Sequence, residues 1–454
     1  MKRHVIAGRF GPSDLSDIPR DADEQLTTLN LLSDNRTLAF GIGTALTDLR
    51  ALGVTPSEMG LDLLILAAHV HAADTRIERF TQSQDSWTRE IRIVVPVSDP
   101  HRWVSASATL TTLLNFLTGD LWTVGFRSRP KGFSSLARDG QPKAKHQFNE
   151  LSLFSGGLDS LVGAIDLLEA GRVPLLISHA GEGAVSQSQS KLFDALKEHY
   201  GTLPFDRLRA WITFGNGLVK GVASEDSTRG RSFLFIALGA FAGTGFATRF
   251  ELRVPENGFI ALNVPLELLR LSSNSTRTTH PFYMSKWNEL LQLLGIDGVV
   301  ENPYLELTKG EMVLYCANKK LVGSLVPLSL SCASPAKGRW KGLATEHCGY
   351  CLPCLIRRAA LRRAFGGNGD STSYTVTNLA SRALDSSMSE GAQVRSFQVA
   401  IERVRKRPDL ADLLIHKPAS LSRSKVPPDR LAQMYRRGLD EVEKLIKGVV
   451  TRPS

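Results

Sequence analysis

Residues 153–163 read LFSGGLDSLVG. An apolar stretch gives way to Ser155-Gly156-Gly157, and Asp159 and Ser160 follow at once. Upstream, FNELSLF (148–154) predicts a short strand. Downstream, Leu158, Leu161, Val162, Ile165 and Leu168 share one side of a predicted helix over 158–170, which Gly171 should stop. VPLLISHA (173–180) reads as the next strand. Strand, turn, helix, strand is a βαβ unit, so a parallel sheet is expected. In such sheets ligands bind where a strand ends and a helix begins, because free N–H groups and the helix dipole there favour an anion. Gly156 and Gly157 allow close backbone approach. The hydroxyls of Ser155 and Ser160 can donate to phosphate oxygens. Asp159 would order the loop or help to hold Mg²⁺. No Lys follows the glycines, so this is not the GxxxxGK[ST] loop. An ordinary glycine turn is the competing reading.

The chain has 454 residues, long enough for two or three domains. Hydrophobic residues make up 42% and charged residues 22%, which excludes a disordered or fibrous chain. No long apolar run follows the basic MKRHVIAGRF, so no signal peptide is expected. FLFIALGAFAGTGFA (233–247) is too short to span a bilayer and reads as a buried core helix. These features predict a soluble, cytoplasmic protein without a membrane partner. A net charge of +10 favours polyanionic partners, although Lys and Arg are spread along the chain rather than blocked.

Three segments are expected. Residues 1–147 read as an α+β extension and linker, irregular to about 30, with helices at 60–74 and 104–122 and a strand at 89–97. Its last stretch, 127–147, is rich in Arg, Lys, Gly, Pro and Ser and marks a boundary. Residues 148–366 continue the α/β alternation, with helices near 188–199 and 284–294 and strands near 209–214 and 258–263. Residues 367–454 read as a basic helical extension.

Cys332, Cys348, Cys351 and Cys354 fall in the pattern C-x15-C-x2-C-x2-C. Two-residue gaps let thiolates converge on one ion, and an upstream Cys completes a closed tetrahedral shell of four thiolates. Spacing fits zinc and leaves an iron–sulfur cluster open. A closed shell has no free position for chemistry, so the role is structural. Cys316 lies outside the pattern and reads as a core thiol, and His347 is a spare ligand.

SGGxDS after an apolar strand resembles the pyrophosphatase loop of the PP-loop ATPases. Together with TKGEMV (308–313) and the Cys motif, residues 148–365 resemble the 7-cyano-7-deazaguanine synthase (QueC) family. The resemblance implies a PP-loop (adenine nucleotide alpha hydrolase-like) fold binding ATP at Ser155, Gly156, Gly157, Leu158, Asp159 and Ser160, with structural zinc at the four cysteines. It places Lys309 near the phosphates or the substrate carboxylate. Arg231 matches the family's Arg before a buried helix, and Ser232 stands where the family has Asn. Family members adenylate the carboxylate of 7-carboxy-7-deazaguanine, release pyrophosphate and use ammonia to reach the nitrile. The family's Pro-Asp-Cys-Arg substrate segment is replaced by SSNSTRTTHPFYMSKW (272–287), where Arg277 and His280 are the substrate candidates and surface loop roles the alternative.

The long amino-terminal extension, with DSWTREIRIVVPVSDPHRW and FLTGDLW, is similar to that of QueC-like proteins of bacterial anti-phage operons, such as the Qat system. That resemblance implies an amine acceptor on a partner protein from the same operon, with the extensions as docking surfaces. A biosynthetic enzyme using ammonia, a tRNA-modifying PP-loop enzyme and a non-catalytic scaffold remain alternatives.

Overall fold

The computed structural model describes residues 3–33, 36–137, 147–181, 183–266, 277–333, 335, 347–367 and 369–453. The chain begins with β1 (Arg3–Arg9), β2 (Glu24–Asn30), α1 (Ile42–Ala51), α2 (Glu58–Arg76), α3 (Arg79–Gln82), β3 (Glu90–Val97), α4 (Pro100–Thr118) and β4 (Leu121–Ser128). The four strands form one sheet in the order β2-β1-β3-β4, and every pairing is parallel. The α+β expectation for this region, irregular to about residue 30, is therefore corrected to a parallel α/β layer. β1 lies between β2 and β3, and its Val5, Ile6 and Ala7 are fully buried there. The expected linker begins within β4, and its part from 138 to 146 lies outside the described residues.

The second sheet collects β5 (Glu150–Leu153), β6 (Pro174–His179), β7 (Asp206–Ala210), β8 (Phe250–Arg253) and β9 (Gly298–Glu301). Its order is β7-β6-β5-β8-β9, all parallel. Two helices, α5 (Leu158–Glu169) and α6 (Gly183–His199), pack on one face, where Leu161, Ile165 and Leu192 meet Leu176. The opposite face is covered by α7 (Arg231–Gly243) and, beyond the short α8 (Gly258–Ala261), by α9 (Pro281–Leu293). Leu151, Leu175, Ile177 and Leu252 point there, as period-two alternation requires. The strand expected at 258–263 is instead α8, because the Asn257 side chain accepts the amide of Ile260 at 3.1 Å and starts a helical turn. The actual strand, β8, lies just upstream.

One apolar cluster runs from Ile6, Leu64 and Trp103 in the first layer to Phe233, Trp287 and Leu252 in the second. Its seam is made by α2 against α7 and by α4 against α9. Beyond β9 come α10 (Lys309–Tyr315), α11 (Lys319–Leu325) and α12 (Leu352–Phe365). The carboxy-terminal part holds β10 (Leu384–Asp385), α13 (Ser389–Lys406), α14 (Leu410–Leu414), α15 (Pro428–Ile446) and β11 (Thr451–Arg452). A separate core of Phe397, Leu431, Tyr435 and Leu439 closes it and reaches Phe259 of α8 and Leu355 of α12. No described helix is long and apolar enough to cross a membrane.

Candidate functional site

In the second sheet the chain winds outward from β5 in one direction and then, through β8, in the other. β5 and β8 are neighbours, and the crevice beyond their carboxyl ends is the place where such sheets bind ligands. SGGLDS occupies it. Gly156 has φ +83°, and a Cβ there would lie 3.1 Å from both the amide and the Cγ of Gln189, so only Gly fits. Gly157 caps α5 with extended backbone. The Ser155 and Ser160 hydroxyls are 3.2 Å apart, Ser155 Oγ accepts the Gly157 amide at 3.3 Å, and Ser160 Oγ donates to the Gly157 carbonyl at 3.0 Å. Behind the loop, Ser188 donates to the Gly156 carbonyl at 2.9 Å and Gln189 to the Ser155 carbonyl at 3.3 Å.

Asp159, in the first turn of α5, is buried, with its Oδ1 2.7 Å from Lys309 Nζ. Its Oδ2 accepts both the backbone amide (3.1 Å) and the side-chain amide (2.7 Å) of Asn257. Burial pushes the Asp159 carboxyl up, but Lys309, Glu256 and Asn257 outweigh it and hold it below the usual carboxylate range. Glu256 keeps some exposed surface, yet its carboxyl is enclosed. Burial, followed by the negative charge of Asp159, drives it well above the ordinary value. Each carboxyl therefore works against the charge of the other, and Glu256 is the one driven towards its neutral form. Two adjoining carboxyl groups are a hard-oxygen set of the kind Mg²⁺ takes, so Asp159 and Glu256 fit that ion. The glycine cradle, the two hydroxyls and Lys309 fit an oligophosphate.

Lys309 owes its place to a brace. Thr308 caps α10 in a full capping box with Glu311. From α15, Glu441 takes the Thr308 hydroxyl and, at 3.3 Å, the Gly310 amide. Arg363 of α12 bonds Glu441 at 2.5 Å, and Arg437 of α15 bonds Glu311 at 2.7 Å. The carboxy-terminal helices therefore pin TKGE against the crevice.

The other predicted residues sit further out. Arg231 begins α7 and donates to the carbonyl of His179, the last residue of β6, at 3.4 Å. That same carbonyl accepts Gln189 at 3.2 Å, which links Arg231 to the loop through a chain of hydrogen bonds. Arg277 stacks over Phe116 of α4 at 4.9 Å and donates to its carbonyl at 3.1 Å. His280 caps α9 by accepting the Phe282 amide, packs 5.6 Å from the Phe116 ring and is fully buried. Both line the seam between the two layers, and none of their described contacts is with the SGGLDS loop. Positions 272–276 of the expected substrate segment lie outside the described residues.

The four cysteines converge as their spacing predicted, with all four sulfurs within 4.8 Å of one another. Cys332 and Cys351 are 3.9 Å apart, as are Cys348 and Cys354. A tetrahedral shell with metal–sulfur bonds of about 2.3 Å has sulfurs roughly 3.8 Å apart, so the cluster can hold one metal ion such as zinc. His347 is turned away to accept the Ser331 amide at 3.1 Å. Cys316 is buried in the core beneath α5.

Sequence reasoning missed Glu256 and Asn257, which follow β8 as PENG (255–258), and Ser331. The first two follow β8 (FELR) and so occupy the same structural position, at the carboxyl end of a parallel strand, as SGGLDS. No family model matches the chain, and no curated protein or solved structure matches it either.

Proposed function

We propose that this chain is an ATP-dependent adenylating ligase of the QueC-like PP-loop class. Its substrate would be a carboxylate of the 7-carboxy-7-deazaguanine type. The observation that carries the reading is the convergence of SGGLDS and Lys309 on buried Asp159 where the second sheet reverses its winding. The substrate class, zinc and the defence context come from the resemblance of residues 148–365 and of the amino-terminal extension.

A carboxylate resists amines until its oxygen becomes a good leaving group. In the proposed reaction ATP is a substrate: the carboxylate oxygen attacks the α-phosphorus and pyrophosphate departs with the electron pair. An amine then attacks the acyl carbon, AMP leaves, and the amine proton passes to solvent, giving an amide. Residues Gly156 to Ser160 would cradle the leaving phosphates with N–H and O–H donors. Lys309, a compact charge, would offset the negative charge that builds on them. Asp159 and Glu256 would hold the Mg²⁺ ion, which supplies further charge neutralisation. The chain offers orientation and charge rather than a covalent nucleophile. The four cysteines would keep Ser331 and its neighbours against the loop.

Mass spectrometry of reactions containing the protein, ATP, Mg²⁺ and 7-carboxy-7-deazaguanine tests the reading. Added mass on a protein encoded beside this one, without nitrile, supports a protein-modifying ligase of a defence operon. Nitrile formed with ammonium makes it a biosynthetic enzyme. If neither arm yields AMP, the adenylating reading fails, and salt-sensitive tRNA binding becomes the next assay.

A further inference from the structure

Arg357, in the first turns of α12, is fully buried, and among the described residues no carboxylate forms an ion pair with it. Its guanidinium donates instead to Ser329 Oγ at 2.9 Å, Ser331 Oγ at 3.4 Å, the Val326 carbonyl at 2.8 Å and Thr372 Oγ1 at 3.1 Å. Burying a cation is costly, and these neutral partners, with Asp370 and Cys354 acting on it through space, repay only part of that cost. Its field therefore favours an anion nearby.

Ser331 shows where the anion belongs. Its Oγ accepts from Arg357 and also from the amide of Leu158, the first residue of α5, at 3.2 Å. Two donors occupy both lone pairs, so the hydroxyl has only its proton left to give. The oxygen lies 3.6 Å from where a Cβ on Gly157 would stand, at the mouth of the glycine loop. Leu330 ties the same strand to the loop by donating to the Gly156 carbonyl at 2.8 Å. Cys332, the next residue, belongs to the sulfur cluster, which fixes Ser331 from the other side.

We propose that Ser331 is a third hydroxyl donor to an oligophosphate bound at SGGLDS, and that Arg357 is the positioning residue that polarises it. Leu158 gives up its amide to Ser331, and Ser331 returns a stronger donor, charge-assisted through Arg357. The inference rests on the nucleotide reading above.

Calorimetric titration of the full-length, metal-loaded protein with ATP, inorganic pyrophosphate and adenosine tests it. Ser331→Ala should weaken ATP and pyrophosphate by about tenfold, the size expected for one hydrogen bond to a charged group, and leave adenosine unchanged. Ser331→Thr, which keeps the hydroxyl, should stay within about threefold of wild type. Arg357→Gln should reproduce the loss for pyrophosphate; if it does not fold, the Ser331 pair carries the test. Metal content of Ser331→Ala should match wild type. Unchanged pyrophosphate affinity, an equal loss for adenosine, or a loss that Thr does not recover would overturn the proposal. Wild-type protein that binds neither ATP nor pyrophosphate would overturn the nucleotide reading itself, and this inference with it.

Discussion

The two parallel sheets of this molecule end very differently. In the second, β5 runs straight into a glycine loop and a helix, which leaves N–H groups and hydroxyls facing a crevice. In the first, β1 runs into RFGPSDLSD with no helix to follow. There Asp14 accepts the Phe10 amide at 2.9 Å and the Ser16 hydroxyl at 2.7 Å, and pairs with Arg127 at 2.5 Å. After β3, both the amide and the hydroxyl of Ser98 go to buried Asp62, which pairs with Arg129 at 2.5 Å. At these strand ends the first sheet turns its acids, hydroxyls and arginines on one another, whereas the second gathers hydroxyls, amides and Lys309 around a crevice. A parallel sheet thus offers a site wherever its winding reverses, and the loop after the strand decides whether anything is left to bind with.

The largest expected effect breaks that comparison at its active end. Lys309→Ala should lower AMP formation by on the order of a thousandfold while circular dichroism and metal content stay as in wild type. AMP release at the wild-type rate would remove Lys309 from the chemistry. Asp159→Ala should behave in the same way.

Metal is the next lever. Cys351→Ser should cut bound metal to less than about a tenth of the wild-type stoichiometry and lower the melting temperature. Chelation of wild type should weaken pyrophosphate binding through Ser331. A metal-replete Cys351→Ser protein would refute the four-sulfur shell.

The sealed sheet should respond in stability and not in chemistry. Asp62→Ala leaves buried Arg129 with Glu58 alone and strands the Ser98 donors, and should cost about 3 kcal/mol in urea unfolding. Its ATP affinity should be unchanged if the first sheet is structural. A selective loss of ATP binding without loss of stability would give the first sheet a share in the site.

The smallest effect concerns the seam. His71 of α2 meets His179 of β6 edge-on at 5.4 Å, and His280 caps α9 nearby against α4. Burial pushes His71 and His280 down to about 3 and His179 to about 4, from an ordinary 6.5. The folded protein therefore binds fewer protons than the unfolded chain. Stability should be full above pH 6.5 and decline as pH falls towards those depressed values, by up to about 1.4 kcal/mol per pH unit for each histidine. His280→Gln should make the urea midpoint less sensitive to pH between 7.5 and 5. An unaltered slope would mean that His280 titrates alike in the folded and the unfolded chain.

Much of the second sheet was legible because its signals are local. The apolar run of β5, the glycines and the apolar stripe of α5 lie within about twenty consecutive residues, and each acts on its neighbours. The Cys pattern was legible for a similar reason, since two-residue gaps already bring three sulfurs together. The first sheet was misread because RHVIAGR is short and flanked by charge, and its burial comes from β2 and β3 on either side. The GFIALN stretch misled because its apolar residues suit a strand, whereas Asn257 capping turned it into α8.

The sequence by itself determined the glycine loop, the cluster of four cysteines and the βαβ winding, all of which depend on residue type and short spacing. Only the tertiary structure decided that Lys309 reaches Asp159, that Glu256 is enclosed beside it, and that Arg357 stands behind Ser331. It also turned Arg277 and His280 towards Phe116. Those outcomes join positions at least 26 residues apart or rest on burial, and both are properties of packing that no local pattern contains.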